Sequence, residues 1–207
     1  MLCLAASLHS LHALQPSVLH RDIRPENIFL DNHGRILCVD FGVARALTDS
    51  SIRSSYAGTE KYMAPEAGTR YARPAEVFSL AGVYAEILCI MLGYFPANSL
   101  DTEMANGAWK GRTARTKGLE WLSKEVTADT SLEPDLSLGP LLELIKTMLP
   151  IHPHERPKAG DVHDSLRAWR TDYVCCSAVL TNEHDDIVTP PSPEKGPSGS
   201  YARVYSS

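Results

Sequence analysis

The chain of 207 residues is poor in cysteine: it has five, and no two are spaced as CxxC. That argues against a disulfide framework in a chain of this length and fits a reducing, intracellular compartment. It also lacks a basic excess, since 20 Lys and Arg stand against 25 Asp and Glu, a formal net charge of -5. A strongly basic face for nucleic acid is therefore not expected. No Lys or Arg precedes Arg21, so the charged start of a signal peptide is missing. No run approaches the length of a membrane span, and no internal repeat occurs. What is present is 43% hydrophobic and 22% charged, the profile of a soluble globular chain with one core and a tail.

The apolar pattern divides the chain. Leu4, Leu8, Leu11 and Leu14 recur at helical spacing, which predicts a core-facing helix over 3–14 that stops before Pro16. A signal peptide is the alternative for that segment. Two short strands, Ile28-Phe29-Leu30 and Ile36 to Val39, flank Asp31-Asn32-His33-Gly34, a turn with Gly where positive φ is expected. Residues 43–61 are rich in Ser, Thr and Gly without periodicity and read as an exposed loop. Pro74 marks a helix start, and 76–92 is apolar on nearly every side, as a central buried helix would be. The stretch 96–116 reads as a loop with a short helix, and 138–149 and 159–169 as two more helices. Beyond Tyr173 the segment TPPSPEKGPSGS cannot bury a core, which predicts a disordered tail over 171–207 after a domain of 1–170.

Three short motifs carry chemistry: His20-Arg21-Asp22-Ile23-Arg24-Pro25-Glu26-Asn27, then Asp40-Phe41-Gly42, then Ala64-Pro65-Glu66. Each alone is weak; their order and spacing together are specific. In these residues the chain resembles the protein kinases, whose signature reads H-R-D-L-x-x-x-N, D-F-G and A-P-E. The resemblance runs from the first residues to about Trp169. It implies an α+β, mainly α-helical fold, the kinase C-terminal lobe with a small β-hairpin.

The resemblance also implies roles. Phosphoryl transfer needs positioning and charge neutralisation more than covalent help. Asp22 resembles the base that accepts the proton of a substrate hydroxyl. Asn27 and Asp40 resemble ligands of magnesium, a hard cation that prefers oxygen donors. Arg24, with Glu26, Asn27 and Asp40, belongs with the bound Mg·ATP, and Arg24 stands where serine/threonine kinases usually carry Lys, a swap that changes donor geometry. Pro25-Glu26 and Thr59 match the serine/threonine version, with Ser/Thr hydroxyls of proteins as substrate. Arg21 resembles the residue that pairs with a phosphate on the activation loop, where Thr48, Ser50, Ser51, Ser54 and Ser55 are acceptors. A loop that is serine-rich only because it is solvated is the even alternative.

Other residues read as structural. His20 resembles a buried brace of the loop, and Glu66 with Arg156 a salt bridge. Glu76 stands where the family has Asp, so the loop it holds is expected slightly out of place. His152, His154 and His163 lack a metal-ligand spacing, Cys175-Cys176 reads as plain thiols, and Ser192-Pro193 as tail composition.

No G-x-G-x-x-G and no V-A-I-K occur before residue 20. The expectation is that the N-terminal lobe is absent here and that the exposed face calls for that lobe or another partner. Three readings follow: a shortened record of a serine/threonine kinase, a standalone module that binds without catalysis, and a small-molecule kinase of similar fold.

Overall fold

The computed structural model describes residues 1–30, 36–47, 52–53, 58–93, 112–128, 137–169 and 202–203, and in these the chain is mainly helical with small antiparallel sheets. In chain order the elements are α1 (Leu2–Ala13), β1 (Ser17–Leu19), β2 (Ile28–Leu30), β3 (Ile36–Cys38), β4 (Arg45–Leu47), β5 (Ile52–Arg53), β6 (Arg70–Tyr71), α2 (Arg73–Met91), α3 (Arg112–Ala128), α4 (Gly139–Met148), α5 (Ala159–Trp169) and β7 (Ala202–Arg203).

The helix α2 is the centre of the fold. Pro74 sits in its first turn, where a missing N–H removes no helical bond. Every residue from Ala75 to Glu86 is buried, and Phe78, Leu80, Tyr84 and Leu88 are completely enclosed. Burial of each such side chain contributes roughly 1.5–3 kcal/mol. The helix stops at Gly93, whose φ of 82° is left-handed and whose N–H donates to Ile90 O at 3.0 Å. By length and apolarity α2 comes nearer a membrane span than the sequence pattern suggested, with a mean hydropathy of 1.5. Yet 78% of that window is buried inside the fold, so it is a core helix.

The other helices surround it. Leu141, Leu142, Ile145 and Met148 of α4 are buried, and α4 packs on α2, α3 and α5. Helix α1 packs on α5, where Gly160 lets the two approach: a Cβ there would lie 3.0 Å from His9 Nδ1. The α1 stripe is shorter than expected. Leu4 and Leu8 are buried, but Leu14 is 49% exposed, because the backbone turns extended at that residue.

Among the described residues there are three small sheets where one hairpin was expected. β2 pairs with β3 as anticipated, with Phe29 opposite Leu37, and β7 adds to the other edge of β2. The supposed loop 43–61 contains two strands. β4 pairs with β1, and β5 with β6, because each finds a distant partner that local periodicity cannot reveal. Helix α3 was also not expected beyond a short piece; Leu119, Leu122 and Val126, spaced three and four apart, were its signal, and Leu122 is fully buried. The turn at 31–35, the stretch 94–111, the five proposed acceptors and Cys175, Cys176 and Ser192 lie outside the described residues. So does the tail over 171–207 apart from Ala202–Arg203.

Candidate active site

The segment after β1 is held from three directions. Glu76, fully buried at the start of α2, accepts the Arg21 N–H at 2.7 Å with Oε1. Its Oε2 lies 2.8 Å from His12 Nε2 on α1. The extra methylene of Glu relative to the expected Asp therefore does not break the brace; Glu76 still reaches the loop backbone, and its second oxygen meets His12. Arg21 itself is left-handed, with φ of 69°. Its guanidinium lies over the Tyr71 ring at 5.6 Å and donates to Val43 O at 3.4 Å.

His20 is completely buried and its two ring nitrogens face opposite polarities. Nδ1 lies 3.4 Å from the Asp22 N–H, and Nε2 lies 3.0 Å from Val39 O. A proton on Nε2 would donate to Val39 O and leave Nδ1 to accept the Asp22 N–H, so both ring nitrogens brace the loop.

The Asp22 carboxylate gathers the site. Its Oδ1 accepts from Thr59 N–H at 2.9 Å and from Thr59 Oγ1–H at 3.0 Å. Its Oδ2 accepts from Asn27 Nδ2 at 3.0 Å, and the same amide donates to Asp22 O at 2.9 Å. A carboxylate has about four acceptor positions, so among the described residues one remains, on Oδ2. Thr59 is delivered by Gly58, whose φ is 103°; a Cβ there would lie 2.5 Å from Arg21 O. Only glycine allows that approach.

Arg24 completes the cluster. Nη1 donates to Thr59 Oγ1 at 2.5 Å and Nε to Glu26 Oε2 at 2.8 Å. The Glu26 hydrogen bond raises the guanidinium pKa against the opposing effect of burial. Burial works to raise the Glu26 carboxyl, but the hydrogen bond and charge of Arg24, with a contribution from Lys61, hold it below the usual range.

Asp40 comes from a different element, the turn after β3. Val39 N–H donates to Asn27 O at 2.9 Å, so Asp40 follows directly on a residue bonded to Asn27. Asp40 is exposed, left-handed with φ of 64°, and its Oδ1 accepts the Gly42 N–H at 3.1 Å. Phe41 lies against the His20 ring at 4.7 Å while staying 47% exposed.

Asn27 uses its amide nitrogen on Asp22, so its carbonyl oxygen is available, and Asp40 offers Oδ2. Two oxygens of this kind fit magnesium, which takes one or two protein carboxylates or amides and fills the rest of its shell with phosphate and water. Among the described residues no group of three or more His, Cys, Asp or Glu is arranged to hold a metal, and His152 and His154 only stack on each other at 5.7 Å.

Two ion pairs support the groove. Arg156, buried, donates to Glu66 through Nη1 at 2.6 Å and Nη2 at 2.9 Å, and also to Pro74 O, Pro150 O and Ile151 O. Glu86, inside α2, accepts from Tyr62 Oη at 2.8 Å and Lys61 Nζ at 2.9 Å. Sequence reasoning found the first pair and missed the second, along with His12. Nothing local marks partners 25 and 64 positions apart. The three cysteines among the described residues, Cys3, Cys38 and Cys89, form no disulfide, and burial with Glu86 nearby pushes the Cys89 thiol to about 12.

The protein kinase domain model matches residues 1–166. The chain is similar to the interferon-induced, double-stranded RNA-activated protein kinase of Rattus norvegicus, 27% identical over 157 residues, 74% of this chain and 26% of the relative. It is similar to mitogen-activated protein kinase kinase 2 of Arabidopsis thaliana, 26% identical over 160 residues, 75% of this chain and 41% of the relative. Over 102 residues it is 37% identical to the serine/threonine-protein kinase Nek2 of Homo sapiens, 48% of this chain and 22% of that protein. The chain thus spans less than half the length of these curated relatives.

Proposed function

The chain belongs to the protein kinase domain family, and from that premise we propose that it is the catalytic C-terminal lobe of a serine/threonine kinase, part of a longer protein that works in the cytoplasm. The reaction is transfer of the γ-phosphoryl group of Mg·ATP to Ser or Thr hydroxyls of proteins. The observation that carries this reading is the convergence of Thr59 and Asn27 on the Asp22 carboxylate, with one acceptor position left on Oδ2.

Asp22 is the base in this reading. Its orientation is fixed before substrate arrives, so little reorganisation accompanies acceptance of the hydroxyl proton. Arg24 sits beside Thr59 at the mouth of the same carboxylate, where its fork faces a phosphoryl group and its pairing with Glu26 limits its swing. Asn27 and Asp40 would hold magnesium, which supplies charge neutralisation at the ATP phosphates. Thr59 favours serine/threonine specificity because it shapes the groove next to the base.

A second reading, a binding module without catalysis, is favoured by one observation. Leu37, Phe41 and Val43 on and after β3, and Leu30 on the opposite face of the β2–β3 hairpin, are exposed apolar side chains that a further lobe or a partner would cover.

Two measurements separate the readings. Calorimetry on the full chain should show ATP binding that requires magnesium and is weakened by Asp40→Asn; no binding leaves the module reading in place for this polypeptide. In the longest form of the protein that phosphorylates a protein substrate, Asp22→Asn should lower kcat by about 10²–10⁴-fold. Undiminished transfer by that variant would remove the assigned mechanism.

A further inference from the structure

The strand β2 begins directly after Asn27, and its two edges are used differently. On one edge it pairs with β3, Phe29 opposite Leu37 and Leu30 opposite Ile36. Val39 N–H donates to Asn27 O at 2.9 Å, which makes positions 27 and 39 a hydrogen-bonded pair of that ladder. Antiparallel ladders alternate, so the main-chain groups of Phe29 face β3 and those of Ile28 and Leu30 face away. The Ile28 N–H is taken by Pro25 O within the loop. The outer edge of β2 therefore offers the N–H and C=O of Leu30 and the C=O of Ile28.

A sheet edge of this kind takes up another extended strand. In this fold β7 lies there, antiparallel, with Leu30 opposite Ala202 and Phe29 opposite Arg203. The sequence marks the same place. Residues 189–200 hold only Thr, Pro, Ser, Glu, Lys and Gly, and Tyr201-Ala202-Arg203-Val204-Tyr205 then brings the strand-favouring Tyr201, Val204 and Tyr205 close together.

We propose that the outer edge of β2 is a strand-docking site for the chain's own tail segment centred on Ala202–Arg203, held by main-chain bonds to Leu30, and that this docking is reversible. Two paired positions supply few bonds. They form because the covalent tether to α5 holds the segment at an effective concentration on the order of millimolar. A contact of that size opens far more readily than the core.

Docking bears on the site through the same strand. Asn27, the residue before Ile28, donates to Asp22 Oδ2 at 3.0 Å. A docked tail steadies β2 and with it Asn27; a released tail leaves β2 bound on one edge. This consequence rests on the roles proposed above for Asn27 and Asp22, whereas the docking itself does not.

The test is amide hydrogen exchange followed by NMR on the full 207-residue chain and on its Ala202→Pro variant. Proline removes the N–H that faces Leu30 and touches nothing in the core. Leu30 N–H should exchange about fivefold faster in the variant, Phe29 N–H, which faces β3, should keep its rate, and the side-chain amide signals of Asn27 should shift. Lys195→Pro, the same change outside β7, should leave all three as they are. A peptide of residues 199–206, added at about 5 mM to the Ala202→Pro chain, should restore slow exchange at Leu30. An unchanged Leu30 rate in Ala202→Pro overturns the docking. So does protection of Leu30 that grows with chain concentration, which would make a second copy the occupant. Faster Leu30 exchange with unmoved Asn27 signals supports the docking and overturns its link to the site. None of these readouts uses ATP, so they stand apart from any test of phosphoryl transfer.

Discussion

The loop 21–27 and the segment 40–42 supply Asp22 and Asp40 to the site, and they are built differently. Around Asp22 the chain is largely buried and cross-tied: Glu76 and Thr59 contribute bonds from elsewhere in the sequence, and Asn27 one from within the loop. Around Asp40 the side chains are exposed, and among the described residues the carboxylate bonds only its own segment, at Gly42. The contrast fits the roles proposed for them. A base that must meet one hydroxyl in one geometry gains when it is already held in place, whereas a carboxylate awaiting a hydrated cation needs open lone pairs.

The comparison can be broken most severely at Glu76. Glu76→Ala leaves the Arg21 N–H buried without an acceptor and opens a cavity, a loss of about 3 kcal/mol. Urea unfolding should report it, and hydrogen exchange should quicken at 21–27 more than at 41–44. Equal quickening in both segments would mean they are one unit and not two. Gly58→Ala should cost about 1–3 kcal/mol, since the added Cβ meets Arg21 O and the left-handed φ is strained. Its unfolding midpoint should fall while Asp40 variants leave it in place.

On the open side the effects shrink. Phe41→Ala removes a side chain that is nearly half exposed, and the stability change should stay within about 1 kcal/mol. A larger drop in thermal melting would show the segment to be as firmly built as the loop. The smallest effect is at Glu26, whose ion pair with Arg24 is at the surface and is worth about 0.3 kcal/mol. Its folded pKa is depressed, so its contribution is present above the unfolded carboxylate value near 4.5 and fades as pH falls through the lower folded value. Glu26→Gln should flatten that slope of stability against pH; an unchanged slope would show the pair contributes nothing.

Much of the site was legible because its residues lie within short motifs: Asp22, Arg24, Glu26 and Asn27 occupy one turn of chain, and Asp40 and Thr59 each carry a nearby Gly that marks a tight backbone. The pairing of Glu66 with Arg156 was legible through resemblance, not through periodicity. The strands β4 and β5 were not, since a strand of two or three residues has no pattern of its own and exists only through its partner. Helix α3 was missed for the opposite reason. Its apolar residues are sparse among charged ones, and only packing against α4 makes the face count.

The amino-acid order by itself determined the long central helix, the two closing helices and the kinase motifs, because helical periodicity and turn chemistry act over a few residues. The resemblance made the bond from Glu76 to the loop backbone 55 residues before it legible, but only the tertiary structure decided that the same buried glutamate would also hold a histidine 64 residues before it. It also decided that Lys61 and Tyr62 would meet the carboxylate of Glu86, 25 and 24 residues away. Such bonds depend on distance in space, and a buried donor or acceptor takes whichever partner the packing brings within reach.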